Sequence, residues 1–134
     1  LARVASGGEL SRALLALKRV LAGTGPVGLY VFDEVDTGVG GAIAEAIGRK
    51  IREVAGHHQV LCITHQPQIA VFGTRHLHVA KHVGDDGRTR SRIDALAGDE
   101  RRAELARMLG GATLTEATHQ AAADLLRLAH RESP

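Results

Sequence analysis

The chain has 134 residues, 44% hydrophobic and 24% charged, which is enough for one compact core and too short for two comfortable ones. No run approaches the roughly 20 apolar residues that span a bilayer, and the start lacks the pattern of a signal peptide. The formal charge of +2 permits a nucleic-acid partner without requiring one, while 2% aromatic residues and no Trp argue against base-stacking platforms.

Cys62 is the single cysteine, so the chain has no internal disulfide framework and suits a reducing compartment. Beginning at Leu1 rather than Met and entering a motif at once, the sequence is expected to be a fragment of a longer protein, with residues 1–134 forming a single domain. Ser6-Gly7-Gly8-Glu9 opens a segment in which Leu10, Leu14, Leu17 and Leu21 recur at helical spacing. Ser6 and Glu9 stand as a capping box, which is a structural reason for both. Gly7 and Gly8 fall outside that reason. They lower helix propensity and leave backbone N–H groups uncovered, as phosphate binding at a helix N-terminus requires. Gly23, Gly25 and Pro26 end the helix.

Leu29-Tyr30-Val31-Phe32 then runs into two adjacent carboxylates, Asp33 and Glu34. Four apolar residues between Gly28 and an acidic pair predict a short strand buried on both faces, as in a parallel sheet. Ligand chemistry in such sheets sits beyond the carboxyl ends of the strands. Neighbouring strand residues point to opposite sides, so the two carboxylates divide two roles. One can hold a hard cation through water, and the other can orient and deprotonate an attacking water. That division suits hydrolysis of a magnesium-bound nucleoside triphosphate, where positioning and charge neutralisation supply most of the catalysis. The alternative is a strand that ends in a solvated acidic turn.

Val35-Asp36-Thr37-Gly38-Val39-Gly40-Gly41 is too glycine-rich to be regular and is expected as a loop. A helix over 42–55 follows, with Ile43, Ile47, Ile51 and Val54 on one face, ending at Gly56. Gln59-Val60-Leu61-Cys62-Ile63-Thr64 predicts a second buried strand that delivers His65 at its end. Strand, helix, strand implies a right-handed parallel crossover, which aligns Asp33, Glu34 and His65 along one edge. Pro67 begins a short helical turn. Residues 77–80 and 91–95 read as two strands joined through Gly84-Asp85-Asp86-Gly87. A helix over 100–109 closes at Gly110-Gly111. Thr113 and Glu116 form a capping box before a last helix with Ala121, Leu125 and Leu128 on its apolar stripe.

Ala5-Ser6-Gly7-Gly8-Glu9, Phe32-Asp33-Glu34, Asp36 in a glycine loop and Thr64-His65 after a strand occur in the order of the signature sequence, Walker B strand, D-loop and switch histidine, and so resemble the head of ABC-type ATPases. Within that superfamily the sequence most resembles the RecN family of bacterial SMC-like DNA repair proteins. The residues that carry this are Val4 to Arg12, Phe32 to Gly41, Thr64 to Ala70 and Leu105 to Gly111. Gln66 departs from the family pattern, which usually has an apolar residue there. The resemblance implies an α/β fold, the carboxy-terminal lobe of an ABC-type P-loop ATPase head, with parallel strands flanked by helices, a β-hairpin and two carboxy-terminal helices. It implies ATP and Mg2+ as cofactors, with Asp33 binding the metal through water, Glu34 as general base and His65 touching the γ-phosphate. It places Ser6, Gly7 and Gly8 against the γ-phosphate of a second head, counts Glu9 among the nucleotide-binding residues, and has Asp36 crossing the same interface. Its implied partners are an amino-terminal head lobe carrying the Walker A motif, a second head in a homodimer, and DNA, with no membrane and a cytoplasmic, nucleoid-associated location. No Gly-x-x-x-x-Gly-Lys-Ser/Thr occurs in the sequence, so the chain lacks a phosphate-cradling P-loop and is expected to be inactive alone.

Three other readings compete. The nucleotide-binding subunit of a transporter uses the same head chemistry, but its acidic strand is normally followed by a Pro-Thr-Ser-Ala-Leu-Asp-like stretch rather than Val35-Asp36-Thr37-Gly38. A non-catalytic DNA-binding module would use Arg88, Arg90 and Arg92 on one strand face, with Arg75 and Lys81 nearby. His76, His78 and His82 have strand spacing compatible with zinc, though no cysteine or carboxylate cluster accompanies them.

Overall fold

The structure is a computed structural model, and it describes residues 28–111 and 113–131. The chain divides into two compact units, one ending at Phe72 and the other beginning at Gly73. The expected helix over Leu10–Leu21 lies outside the described residues.

The first unit contains β1 (Leu29–Asp33), α1 (Gly41–Ala55), β2 (Gln59–Ile63) and α2 (Pro67–Ala70). β1 and β2 pair in parallel, from Leu29 opposite Gln59 to Asp33 opposite Ile63. Helix α1 lies between them in sequence, as a parallel pair requires. Its buried face consists of Ala44, Ile47, Gly48 and Ile51, spaced three to four residues apart. Ala44, Ile47 and Ile51 form the core cluster with Ile69 of α2, and Phe32, Val60 and Cys62 of the strands pack against it. Full burial of a side chain such as Ile47 contributes roughly 2 kcal/mol. At Gly48 a Cβ would lie 2.5 Å from Phe72 Cδ2 and 3.0 Å from the Gln68 carbonyl oxygen. Glycine there is what lets α1 approach the 68–72 segment so closely.

In this chain the expected burial on both strand faces is not seen: Val31 is 56% exposed, Leu61 41% and Ile63 50%, and among the described residues α1 and α2 pack on the face bearing Phe32, Val60 and Cys62.

The second unit contains β3 (His76–Val83), β4 (Thr89–Leu96), α3 (Gly98–Gly110) and α4 (Glu116–Arg131). β3 and β4 form an antiparallel hairpin in which His78 faces Asp94 and Val79 faces Ile93. Its turn closes through Gly84, whose N–H donates to Arg88 O at 2.9 Å, and Gly87 adopts φ +73°, a conformation glycine tolerates without cost. The hairpin is longer than the sequence pattern suggested. Leu77, Val79, Val83 and Ile93 on one face are at least half exposed.

Two details of α4 differ from expectation. The reciprocal cap is built by Thr115 and Thr118: Thr118 N–H donates to Thr115 Oγ1 at 3.2 Å, and Thr115 N–H donates to Thr118 Oγ1 at 2.9 Å. It sits two residues beyond the Thr113 and Glu116 pairing, because a second threonine can replace the acidic member. The buried positions are Ala122 and Ala129, so the stripe is rotated from the one predicted through Ala121 and Leu128, which are both exposed.

Candidate functional site

The parallel pairing ends with Asp33 beside Ile63, so Glu34 and Thr64 leave the sheet side by side at the carboxyl ends of their strands. This is the edge at which open α/β sheets place their ligands. Asp33 and Glu34 are exposed. Glu34 adopts φ +51°, a left-handed conformation that non-glycine residues rarely occupy and that clusters at functional sites. Thr37 holds it there, donating to the Glu34 carbonyl from its N–H at 3.3 Å and its Oγ1 at 3.0 Å.

That turn folds Asp36 back toward β2, where its side chain is 1% exposed. Asp36 Oδ2 accepts from Thr64 Oγ1 at 2.5 Å and from the His65 backbone N–H at 2.8 Å, and lies 3.0 Å from His65 Nδ1. Burial, the largest single influence, pushes the Asp36 carboxyl up. The hydrogen bonds from Thr64 and His65 outweigh it, and the net pKa lies below the ordinary value. Asp36 is therefore an ionised, buried acceptor. Burial, and secondarily the Asp36 charge, raise the Cys62 thiol to about 11, which makes it an unreactive core residue.

Gln66 completes the arrangement. Its backbone N–H donates to Thr64 Oγ1 at 3.0 Å, and its side-chain amide donates to Val39 O at 3.2 Å and faces His65 Nε2 at 3.4 Å. The imidazole itself is 74% exposed.

Of the residues singled out in the sequence, Asp33, Glu34, Asp36 and His65 therefore belong to one strand-end region. Ser6, Gly7, Gly8 and Glu9 lie outside the described residues. The Asp36 carboxylate is buried and hydrogen-bonded within its own chain. Thr64 and Gln66 were not assigned roles from sequence. Their signals were a hydroxyl directly before the histidine and a polar residue where the family has an apolar one.

Among the described residues no group of three or more His, Cys, Asp and Glu could hold a metal ion. Asp33 thus offers a single carboxylate rather than part of a cage. That donor set fits Mg2+, which keeps several waters and binds through one or two carboxylates together with substrate phosphates, better than Zn2+ or Ca2+. Nor does the hairpin present free basic charge at Arg90 and Arg92. Arg90 pairs with Asp86 and Arg92 with Asp94, both at 2.7 Å. No described helix is long and apolar enough to cross a membrane.

No protein-family model matches the chain. It is similar to the DNA repair protein RecN of Xylella fastidiosa, strain 9a5c (50% identity over 127 residues, 95% of this chain and 23% of that protein). It is likewise similar to DNA repair protein RecN of Bacillus subtilis (47% over 129 residues, 96% and 22%) and of Streptomyces coelicolor (48% over 132 residues, 98% and 23%). The chain thus spans about a quarter of the length of these relatives. A solved structure from work on the ATP-driven dimerization and DNA-stimulated activation of SMC ATPases matches 82% of this chain and 65% of its own, with a TM-score of 0.57 at 21% identity. That likeness shows the α/β fold to be of the SMC ATPase kind.

Proposed function

With the chain a RecN homologue over nearly its whole length, we propose that it forms the carboxy-terminal lobe of an SMC-like ATPase head in a DNA repair protein and supplies half of an ATP-hydrolysing site. The observation that carries this reading is the parallel register that ends Asp33 beside Ile63, bringing the acidic pair and the His65 segment to one strand-end edge.

On this reading Glu34 orients the attacking water and takes its proton, and its exposed side chain at a strained strand end is free to reach a substrate. Asp33 holds Mg2+ through water. His65 approaches the γ-phosphate with an exposed imidazole on a fixed backbone. Ser6, Gly7 and Gly8 meet the γ-phosphate held by a second head, with Glu9 beside them in the nucleotide-binding turn. Bound MgATP would supply the transferable phosphoryl group and the divalent charge that offsets its negative charge. The cradle for the other phosphates comes from an amino-terminal lobe bearing Walker A, since this sequence has no P-loop. The lobe alone neither binds ATP tightly nor hydrolyses it. The ATP cycle engages two heads of a homodimer and tethers DNA, in the cytoplasm on the nucleoid.

The test is Glu34→Gln in the full-length protein. Loss of the base lowers ATP turnover by about 100-fold or more and prolongs ATP-dependent head association. Turnover at the unaltered rate would remove Glu34 from the chemistry.

A further inference from the structure

The segments 36–39 and 64–66 are joined by a closed ring of hydrogen-bonding groups. Every member has a defined polarity. Asp36 is ionised and can only accept, and its Oδ2 lies 3.0 Å from His65 Nδ1, so its charge favours a hydrogen on that nitrogen. A neutral imidazole then has its lone pair on Nε2. The group facing Nε2 at 3.4 Å is the Gln66 amide nitrogen, which can only donate, and its other hydrogen goes to Val39 O at 3.2 Å. Thr64 Oγ1 accepts from Gln66 N–H and donates to Asp36 Oδ2, closing the ring. No contact places donor against donor or acceptor against acceptor.

We propose that Asp36 is the positioning residue of His65 within its own chain, fixing the Nδ1–H tautomer and the backbone at His65, while Gln66 occupies Nε2 until a ligand displaces it. The Nε2 contact is the longest in the ring and involves exposed groups, so it opens before the buried Asp36 contacts do. The geometry directs one nitrogen inward to a fixed anion and leaves the other for an incoming group.

The tautomer assignment is independent of nucleotide chemistry. Only the consequence for turnover rests on the reading of His65 as the γ-phosphate contact. The test is nitrogen NMR of full-length protein labelled with 15N-histidine, with His65 identified by its loss in His65→Gln. At a pH where His65 is neutral, the unaltered protein gives the Nδ1–H signature, Gln66→Leu retains it, and Asp36→Ala, which leaves no acceptor at Nδ1, loses it. An Nε2–H signature in the unaltered protein overturns the proposal without recourse to any variant, as does a tautomer unmoved by Asp36→Ala. In the same protein Asp36→Asn lowers kcat for ATP about 10-fold or more with KM within about twofold. Full kcat in Asp36→Asn, beside an inactive Glu34→Gln, removes Asp36 from the positioning of His65 while leaving the ATPase reading intact. Activity unaltered in both variants strikes at the ATPase reading itself, and the tautomer result still decides the proposal.

Discussion

Both units carry short-range surface pairs, Glu45 with Arg49 and Lys50 with Glu53 in the first, but among the described residues only the first also buries a carboxylate. In 28–72 a single carboxylate, Asp36, is taken out of water and satisfied by donors from a segment 28 and 29 residues away. In 73–131 the acidic groups mostly meet a basic partner within four residues: Asp86 with Arg90, Arg92 with Asp94, Asp99 with Arg102, Glu104 with Arg107, and Asp124 with Arg127. Local pairs of this kind decorate an existing helix or turn and contribute little. A buried carboxylate with remote donors fixes the relation between two loops, and in doing so shapes a site. The difference teaches where in this chain a charge specifies geometry and where it serves the surface.

The contrast should be sharpest on deletion. Asp36→Ala strands the Thr64 hydroxyl and the His65 N–H without their acceptor, and we expect a loss of about 2–4 kcal/mol in a urea titration. A change below about 0.5 kcal/mol would mean that water replaces the carboxylate and that the site is not rigidly held.

Acidification should separate the units by pH. Burial first, then the Arg101 charge, lower the pKa of the half-buried His76, so the unfolded chain binds the proton more readily. Stability of the hairpin and α3 therefore falls as pH drops through about 6.5 toward the lower folded value. The Asp36 carboxyl is also held below its ordinary value, so its contribution is present at neutral pH and is lost only as pH falls below about 4. Amide exchange at pH 5 should thus show loosening in 76–104 while 33–36 and 64–66 keep their protection. Simultaneous loosening would break the distinction.

The smallest effect is expected at the surface of the second unit. Arg92→Ala removes an exposed pair with Asp94 and should change stability by less than about 1 kcal/mol, and less still at high salt.

Much of the first unit could be read directly from sequence, because apolar runs and helical spacing are local signals. β1, α1 and β2 lie where expected, and their order required the parallel pairing that aligns Asp33, Glu34 and His65. Asp36 was visible as a residue but not as a buried one, since the burial of a carboxylate depends on donors remote in sequence. Gln66 was noticed only as a departure, because what it faces is decided by how two loops meet. In the second unit the extended hairpin hid its length in polar strand ends. The shifted cap shows how weakly a threonine-rich turn specifies which hydroxyl begins a helix. The strand face bearing Val31, Leu61 and Ile63 reads as buried by composition alone, yet these side chains are 41–56% exposed in this chain.

On the proposed reading the strand-end edge of the first unit is the nucleotide-facing surface. Hydrogen exchange of the full-length Glu34→Gln protein, with and without MgATP, tests this most directly. Nucleotide should slow exchange in peptides covering 33–37 and 64–66 and leave the hairpin strands 76–83 and 89–96 nearly unchanged. Protection confined to the hairpin, with none at Glu34 or His65, would contradict it.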